Sequence, residues 1–127
     1  MENLQNAFDS RLDNNLLFEL YEGDMEHAAM VFEQFLKTSP IQMREIEDSF
    51  QEGEVELFRQ KIHKMKPVFS FVGLSDLTHT AEILEKKCKE IFRIGEIESL
   101  YLHLKTEYLK GISIIQNESK RLEEQIN

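Results

Sequence analysis

Val55, Phe58, Ile62, Met65, Phe69 and Val72 follow one another at intervals of 3, 4, 3, 4 and 3 residues. At 100° per residue this spacing puts six apolar side chains on one side of a helix. A stripe of that width has to be buried against neighbouring elements. The same period returns in Ala28, Val31, Phe32 and Phe35, in Ile41, Ile46 and Phe50, in Leu77, Ala81, Leu84, Cys88 and Ile91, and in Leu100, Leu104, Tyr108, Ile112 and Ile115. No stretch alternates with the period of a strand, and only two prolines and five glycines interrupt 127 residues. The chain reads as all-α.

Punctuation between the stripes sets the expected elements. Asp13 caps a short helix through Leu16, Leu17 and Leu20 that stops at Gly23. Asp24 caps the next helix, which continues past Pro40 to Gln51 as one long helix with a kink, ended by Gly53. A helix then spans about Glu54 to Val72 before Gly73. Another, capped by Ser75 or Asp76, is closed by Gly95. The last starts near Glu96 and fades into a charged helical tail over residues 117–127. The first eleven residues, with weak periodicity, are expected to fray or add one turn. Short linkers make consecutive helices antiparallel, giving an up-down four-helix bundle with a short extra N-terminal helix in one domain spanning 1–127. A monomer is expected.

The net charge of −9 argues against nucleic acid or an anionic membrane as partner. No apolar run approaches membrane-spanning length, and Met1-Glu2-Asn3-Leu4-Gln5 lacks the regions of a signal peptide, so a cytoplasmic location is expected. The single cysteine, Cys88, excludes an internal disulfide and reads as a small core residue. Against the acidic background, Arg59, Lys61, Lys64 and Lys66 form a basic island with no acid among residues 59–66. Such an island suits an acidic partner surface, although a charge cluster alone is more often a solvated helix face.

His63 sits inside that island, roughly 130° from the middle of its helix's apolar stripe. Arg59, His63, Lys66 and Ser70, spaced 4, 3 and 4, make a polar line on the water side. A neutral imidazole can accept and return a phosphoryl group near neutral pH, and an ammonium three positions away can stabilise the transferring oxygens. On composition alone an exposed histidine is most often an ordinary surface residue. The other histidines offer less. Asp24-x-x-His27 and Asp76-x-x-His79 stand at helix starts, where the aspartate is needed for capping, and His103 lies between Leu102 and Leu104 without a helical carboxylate partner. No metal site is expected. Phosphate loops, nucleophile elbows and cysteine–histidine pairs are likewise missing from the sequence.

His63-Lys64-Met65-Lys66, with Gly73 ten residues after the histidine and Leu74 next, resembles the signature of the histidine phosphotransfer (HPt) family. That signature is His-x-x-Lys-Gly followed by a glycine at the tenth position. The similarity runs from Leu16 to about Ile115, with Glu22-Gly23-Asp24 and Glu52-Gly53-Glu54 as matching punctuation. It implies a phosphorelay carrier with no ATP site and no cofactor of its own. The partners would be response-regulator receiver domains, with a hybrid histidine kinase as a further donor, and the receiver would supply the catalytic carboxylates and Mg²⁺. On this resemblance His63 is phosphorylated, Lys66 assists the phosphoryl group, and a glutamate on the following helix orients the ring. That glutamate is Glu85, with Glu82 competing. Arg59, Lys64, Pro67, Ser70 and Phe71 would form the receiver-docking face.

One position departs from the signature. Pro67 replaces the glycine after the lysine, removes the helical donor to the His63 carbonyl, and predicts a kink there. It either narrows the choice of receiver or abolishes transfer; in the second case the chain is a non-catalytic adaptor that binds receivers or other proteins. Phe71 either joins Pro67 in an apolar docking rim or packs under the adjacent helix end.

Overall fold

A computed structural model describes residues 7–126. Five α-helices and one 3₁₀ turn make up its regular structure: α1 (Asn14–Tyr21), α2 (Met25–Gln51), α3 (Val55–Ser70), α4 (Ser75–Cys88), the 3₁₀ turn Ile94–Ile97, and α5 (Glu98–Ile126). Among the described residues there is no strand.

Neighbouring helices run antiparallel, as their cross-links show. Between α2 and α3, Glu45 meets Lys61 and Phe50 packs on Phe58. Between α3 and α4, His63 meets Glu85 and Ser70 meets Thr78. Between α2 and α5, Ser39 meets Tyr108 and Glu47 meets Tyr101. In each pair one number rises as the other falls. Phe58, Ile62, Met65, Phe69 and Val72 are buried as the spacing predicts, together with Phe32, Phe35, Leu84, Leu104 and Ile115. Tyr101 closes one end of the core against Phe50 and Phe58, at ring-centroid distances of 4.6 and 5.1 Å.

The caps explain why the helices stop where they do. Asp13 accepts the Leu16 N–H and Asp24 accepts the His27 N–H, each satisfying an otherwise orphaned donor of a first turn. Helix α1 ends at Tyr21, with Glu22 as its C-cap in the left-handed region at φ 48° and Gly23 after it at φ 86°. Helix α2 is unbroken across Pro40. That ring is exposed, so the Leu36 carbonyl left without a donor lies near water. Gly53 and Gly73 close α2 and α3 in the same way. Glu54 N–H reaches the Ser49 carbonyl and Leu74 N–H the Phe69 carbonyl, while each glycine takes a positive φ. Both are Schellman closures.

Several boundaries differ from the sequence expectation. Helix α3 ends at Ser70, and Phe71 to Gly73 form its closing turn. Neither Ser75 nor Asp76 caps α4; the cap position is Leu74, without a side-chain bond. The Ser75 hydroxyl is instead donated to Asp13 Oδ2 at 2.6 Å, a tertiary bond that ties α4 to the start of α1. Helix α4 stops at Cys88, and Gly95 belongs to the 3₁₀ turn before α5. The tail does not fade. Leu122 is fully buried, and Glu118 and Ser119 are nearly so. The reason is the N-terminal segment: Phe8 and Leu12 are buried, Glu118 accepts the Asp9 N–H, and Arg121 donates to the Ala7 carbonyl. The part of the expected frayed segment in residues 1–6 lies outside the described residues.

Candidate functional site

His63 emerges midway along α3 with its side chain 61% exposed. The preceding and following stripe residues, Ile62 and Met65, anchor the helix in the core. The antiparallel turn at Gly73 brings α4 alongside, and Glu85 lies level with His63. Glu85 Oε1 is 2.7 Å from His63 Nδ1. Glu82, the competing carboxylate, faces away and meets Lys86 at 3.5 Å.

Three positive or N–H groups converge on Glu85. Lys66 Nζ lies 2.6 Å from Oε2, and Arg59 Nη1 lies 3.6 Å from the same Oε1 that meets His63. Burial pushes the Glu85 carboxyl up, but the hydrogen bonds from Lys66 and His63 outweigh it and hold the group below the usual carboxylate range. An ionised carboxylate can only accept a hydrogen bond, so the ring proton sits on Nδ1 and the lone pair is on Nε2. With Nδ1 tied to the nearly buried Glu85, Nε2 is the nitrogen left free on a largely exposed ring. The arrangement therefore offers a nucleophilic nitrogen in water, a fixed tautomer, and an ammonium on the other oxygen of the same carboxylate.

The remaining predicted residues fall into two groups. Lys64 and Pro67 are exposed, and Phe71 is 47% exposed, on the same stretch as His63. Phe71 thus presents its ring to solvent while its carbonyl accepts the Tyr21 hydroxyl at 2.5 Å. Helix α3 continues unbroken through Pro67, whose carbonyl takes the Phe71 N–H at 2.9 Å. Arg59 and Ser70 are half-buried and engaged. Ser70 shares a hydrogen bond with Thr78, and the Arg59 fork grips Glu56, holding that carboxyl down at about 2.

His103 corrects a sequence expectation. It does have a helical carboxylate partner, Glu107 at 3.2 Å and four positions on, a spacing visible in the sequence. Glu107 also takes the Thr80 hydroxyl at 2.6 Å. His103, like Leu102 beside it, lies on the exposed side of α5. Burial pushes the Cys88 thiol up to about 11, as suits an inert core residue. Among the described residues, no three histidine, cysteine or acidic side chains converge as a metal site would require. A surface groove lined by Asp13, Gly73, Asp76, Lys110 and Gly111 does not include the His63 cluster.

The family model described as the Hpt domain matches residues 30–124. The chain belongs to the Hpt domain family. Its role is accordingly histidine phosphotransfer in a two-component phosphorelay, and Hpt domains act as phosphocarriers that meet receiver and kinase domains rather than as enzymes with their own ATP site. The structure is similar to the crystal structure of histidine-containing phosphotransfer protein B (HptB) from Pseudomonas aeruginosa PAO1. The TM-score is 0.75 at 21% identity, covering 88% of this chain and 96% of that one, a likeness of fold. None of the curated proteins matches the chain. Among the described residues, no helix is long and apolar enough to cross a membrane.

Proposed function

We propose that this Hpt domain carries the phosphoryl group on Nε2 of His63. The group would come from a receiver-domain aspartate or a histidine kinase and pass to another receiver aspartate. The observation that carries the reading is the His63–Glu85 bond: it fixes the proton on Nδ1 and leaves the exposed Nε2 as nucleophile. Nε2 attacks the phosphorus of an aspartyl phosphate, a P–N bond forms, and the P–O bond to the carboxylate breaks. The Nδ1 proton stays on the ring, where Glu85 offsets the positive charge that develops. Onward transfer is the reverse step on a second receiver. Mg²⁺ and the acidic residues that hold it belong to the receiver in this scheme.

Lys66 rests against Glu85, and its flexible four-carbon stem would let its ammonium turn towards oxygens arriving at Nε2. Lys64, Pro67 and Phe71 form the surface a receiver loop meets beside the ring. We read the four long helices as an up-down bundle, with the protein working as a monomer in the cytoplasm. The exposed Pro67 next to His63 favours a second reading, an adaptor that binds receivers without accepting phosphate.

The test is incubation with a phosphorylated receiver domain. Acid-labile, base-stable phosphate on the wild type and none on His63→Gln is the expected result. Label that persists on His63→Gln overturns the assignment; receiver binding without label on either protein favours the adaptor.

A further inference from the structure

Arg59 stands one turn before His63 on α3, and its guanidinium is already committed. Its Nε and Nη2 donate to Glu56 at 2.9 and 2.5 Å, and Nη1 lies 3.6 Å from Glu85 Oε1. The Arg59 side chain is only 22% exposed. A guanidinium in that position is poorly placed to greet an incoming protein. It is well placed to act on Glu85.

Glu85 Oε2 is held by Lys66, while Oε1 faces both His63 and Arg59. We propose that Arg59 is a positioning residue of the phosphoryl-accepting centre that acts through Glu85: gripped by Glu56, it balances the charge that Glu85 Oε1 presents to His63 Nδ1. The inference rests on the reading of His63 given above. Charges alternate along the chain of contacts: Glu56, Arg59, Glu85, then His63 and Lys66. Two fixed cations flank the carboxylate, so its charge is largely balanced before the imidazole feels it. The ring then receives a directed hydrogen bond without the full negative potential of an isolated carboxylate. The charged groups linked to the ring are Glu85 on α4, Arg59 and Lys66 on α3 through Glu85, and Glu56 through Arg59. Lys64 is exposed beside His63, and Glu82 on α4 is turned to Lys86. From α2, Glu45 is occupied with Lys61 on another side of α3.

Removing the Arg59 charge leaves Glu85 less balanced and favours the protonated imidazole. In Arg59→Gln, the midpoint of the His63 ring-proton titration, followed by NMR, is expected to move upward by about 0.5 pH unit relative to wild type. The rate of phosphate uptake plotted against pH should move by the same amount. Arg59→Lys should restore most of the shift, because it returns the charge. Glu56→Gln, which removes the opposing charge and frees the guanidinium, should move the midpoint the other way. The titration needs no receiver, so it is read even if phosphotransfer proves absent and the parent assignment fails. An unchanged midpoint in Arg59→Gln, or the same direction of shift in Arg59→Gln and Glu56→Gln, overturns the proposal. If Arg59→Gln does not fold, the Glu56→Gln titration decides alone, and a midpoint that stays put or rises overturns it.

Discussion

Three donors converge on the two oxygens of Glu85, and that geometry was only partly legible beforehand. The resemblance to the Hpt family implied Glu85 as the partner of His63, and the helical hairpin at Gly73 made Glu82 the competing candidate. The α4 stripe decides between them: by angle, Glu85 lies about 70° from the centre of Leu77, Ala81, Leu84 and Cys88, and Glu82 about 130°. Only a residue at the edge of the stripe reaches the neighbouring helix. The bond of His103 to Glu107 was equally open to inspection, since four-residue spacing on a helix puts two side chains together. The engagement of Arg59 with Glu85 was not, because it depends on how closely α3 and α4 approach. Glu85 also gives a pH prediction. Its folded carboxyl is held below its ordinary value of 4.5, so the stability it contributes is present above that value and is lost as pH falls through the folded one. The stability advantage of wild type over Glu85→Gln, from urea denaturation, should therefore be constant near neutral pH and shrink as the pH falls below 4.5. A difference that stays constant well below pH 4.5 would mean that Glu85 is not held ionised by its partners.

Among the elements, α2 and α3 follow directly from the spacing of their apolar residues, and both prolines prove compatible with unbroken helices. Helix α4 was harder to delimit. Its final glycine was sought at Gly95, yet the helix stops at Cys88, where Lys89 and Glu90 turn back to the Lys86 and Lys87 carbonyls. No glycine marks that end, so the sequence carried no signal for it. The turn after α3 is the opposite case. Gly73 has φ +76°, and a Cβ there would stand 2.8 Å from Leu17 Cδ1 and 3.2 Å from the Asp13 amide nitrogen. Its carbonyl accepts the Asp13 N–H at 2.8 Å, so the close approach joins α1 to the α3–α4 hairpin. The left-handed backbone and the contact with Leu17 together should cost Gly73→Ala about 3 kcal/mol, measured by chemical denaturation. Combining it with Leu17→Ala should not restore stability, because the backbone strain remains and a buried leucine is lost. Full recovery in the double variant would place the whole cost in the side-chain contact.

At the scale of the molecule, the two ends of the described chain lock together at a distance from the histidine. The sequence showed the period of Leu122 and Ile126 but not what would cover it, because the covering segment is irregular and more than a hundred residues away in the chain. Buried Leu122 lies in the same region of α5 as Glu118, which binds the Asp9 N–H at 2.6 Å and the Arg121 guanidinium at 2.5 Å. Arg121 in turn donates to the Ala7 carbonyl at 2.7 Å. Phe8 is thereby set between Tyr21 of α1 and Phe32 of α2, at ring-centroid distances of 6.5 and 5.7 Å. The end of α5 thus acts as a clasp on the N-terminal segment, and among the described residues no hydrogen bond or ion pair joins it to the His63 cluster. Deleting residues 118–127 should therefore remove a buried leucine and an interlocked ion pair, costing about 4 kcal/mol or more in denaturation. Leu122→Ala alone should cost about 3 kcal/mol. In the cold, where the truncated chain stays folded, the His63 ring-proton titration and the rate of phosphate uptake should match wild type. A truncated protein that is folded yet titrates differently at His63 would show that the clasp and the His63 cluster are coupled through the core.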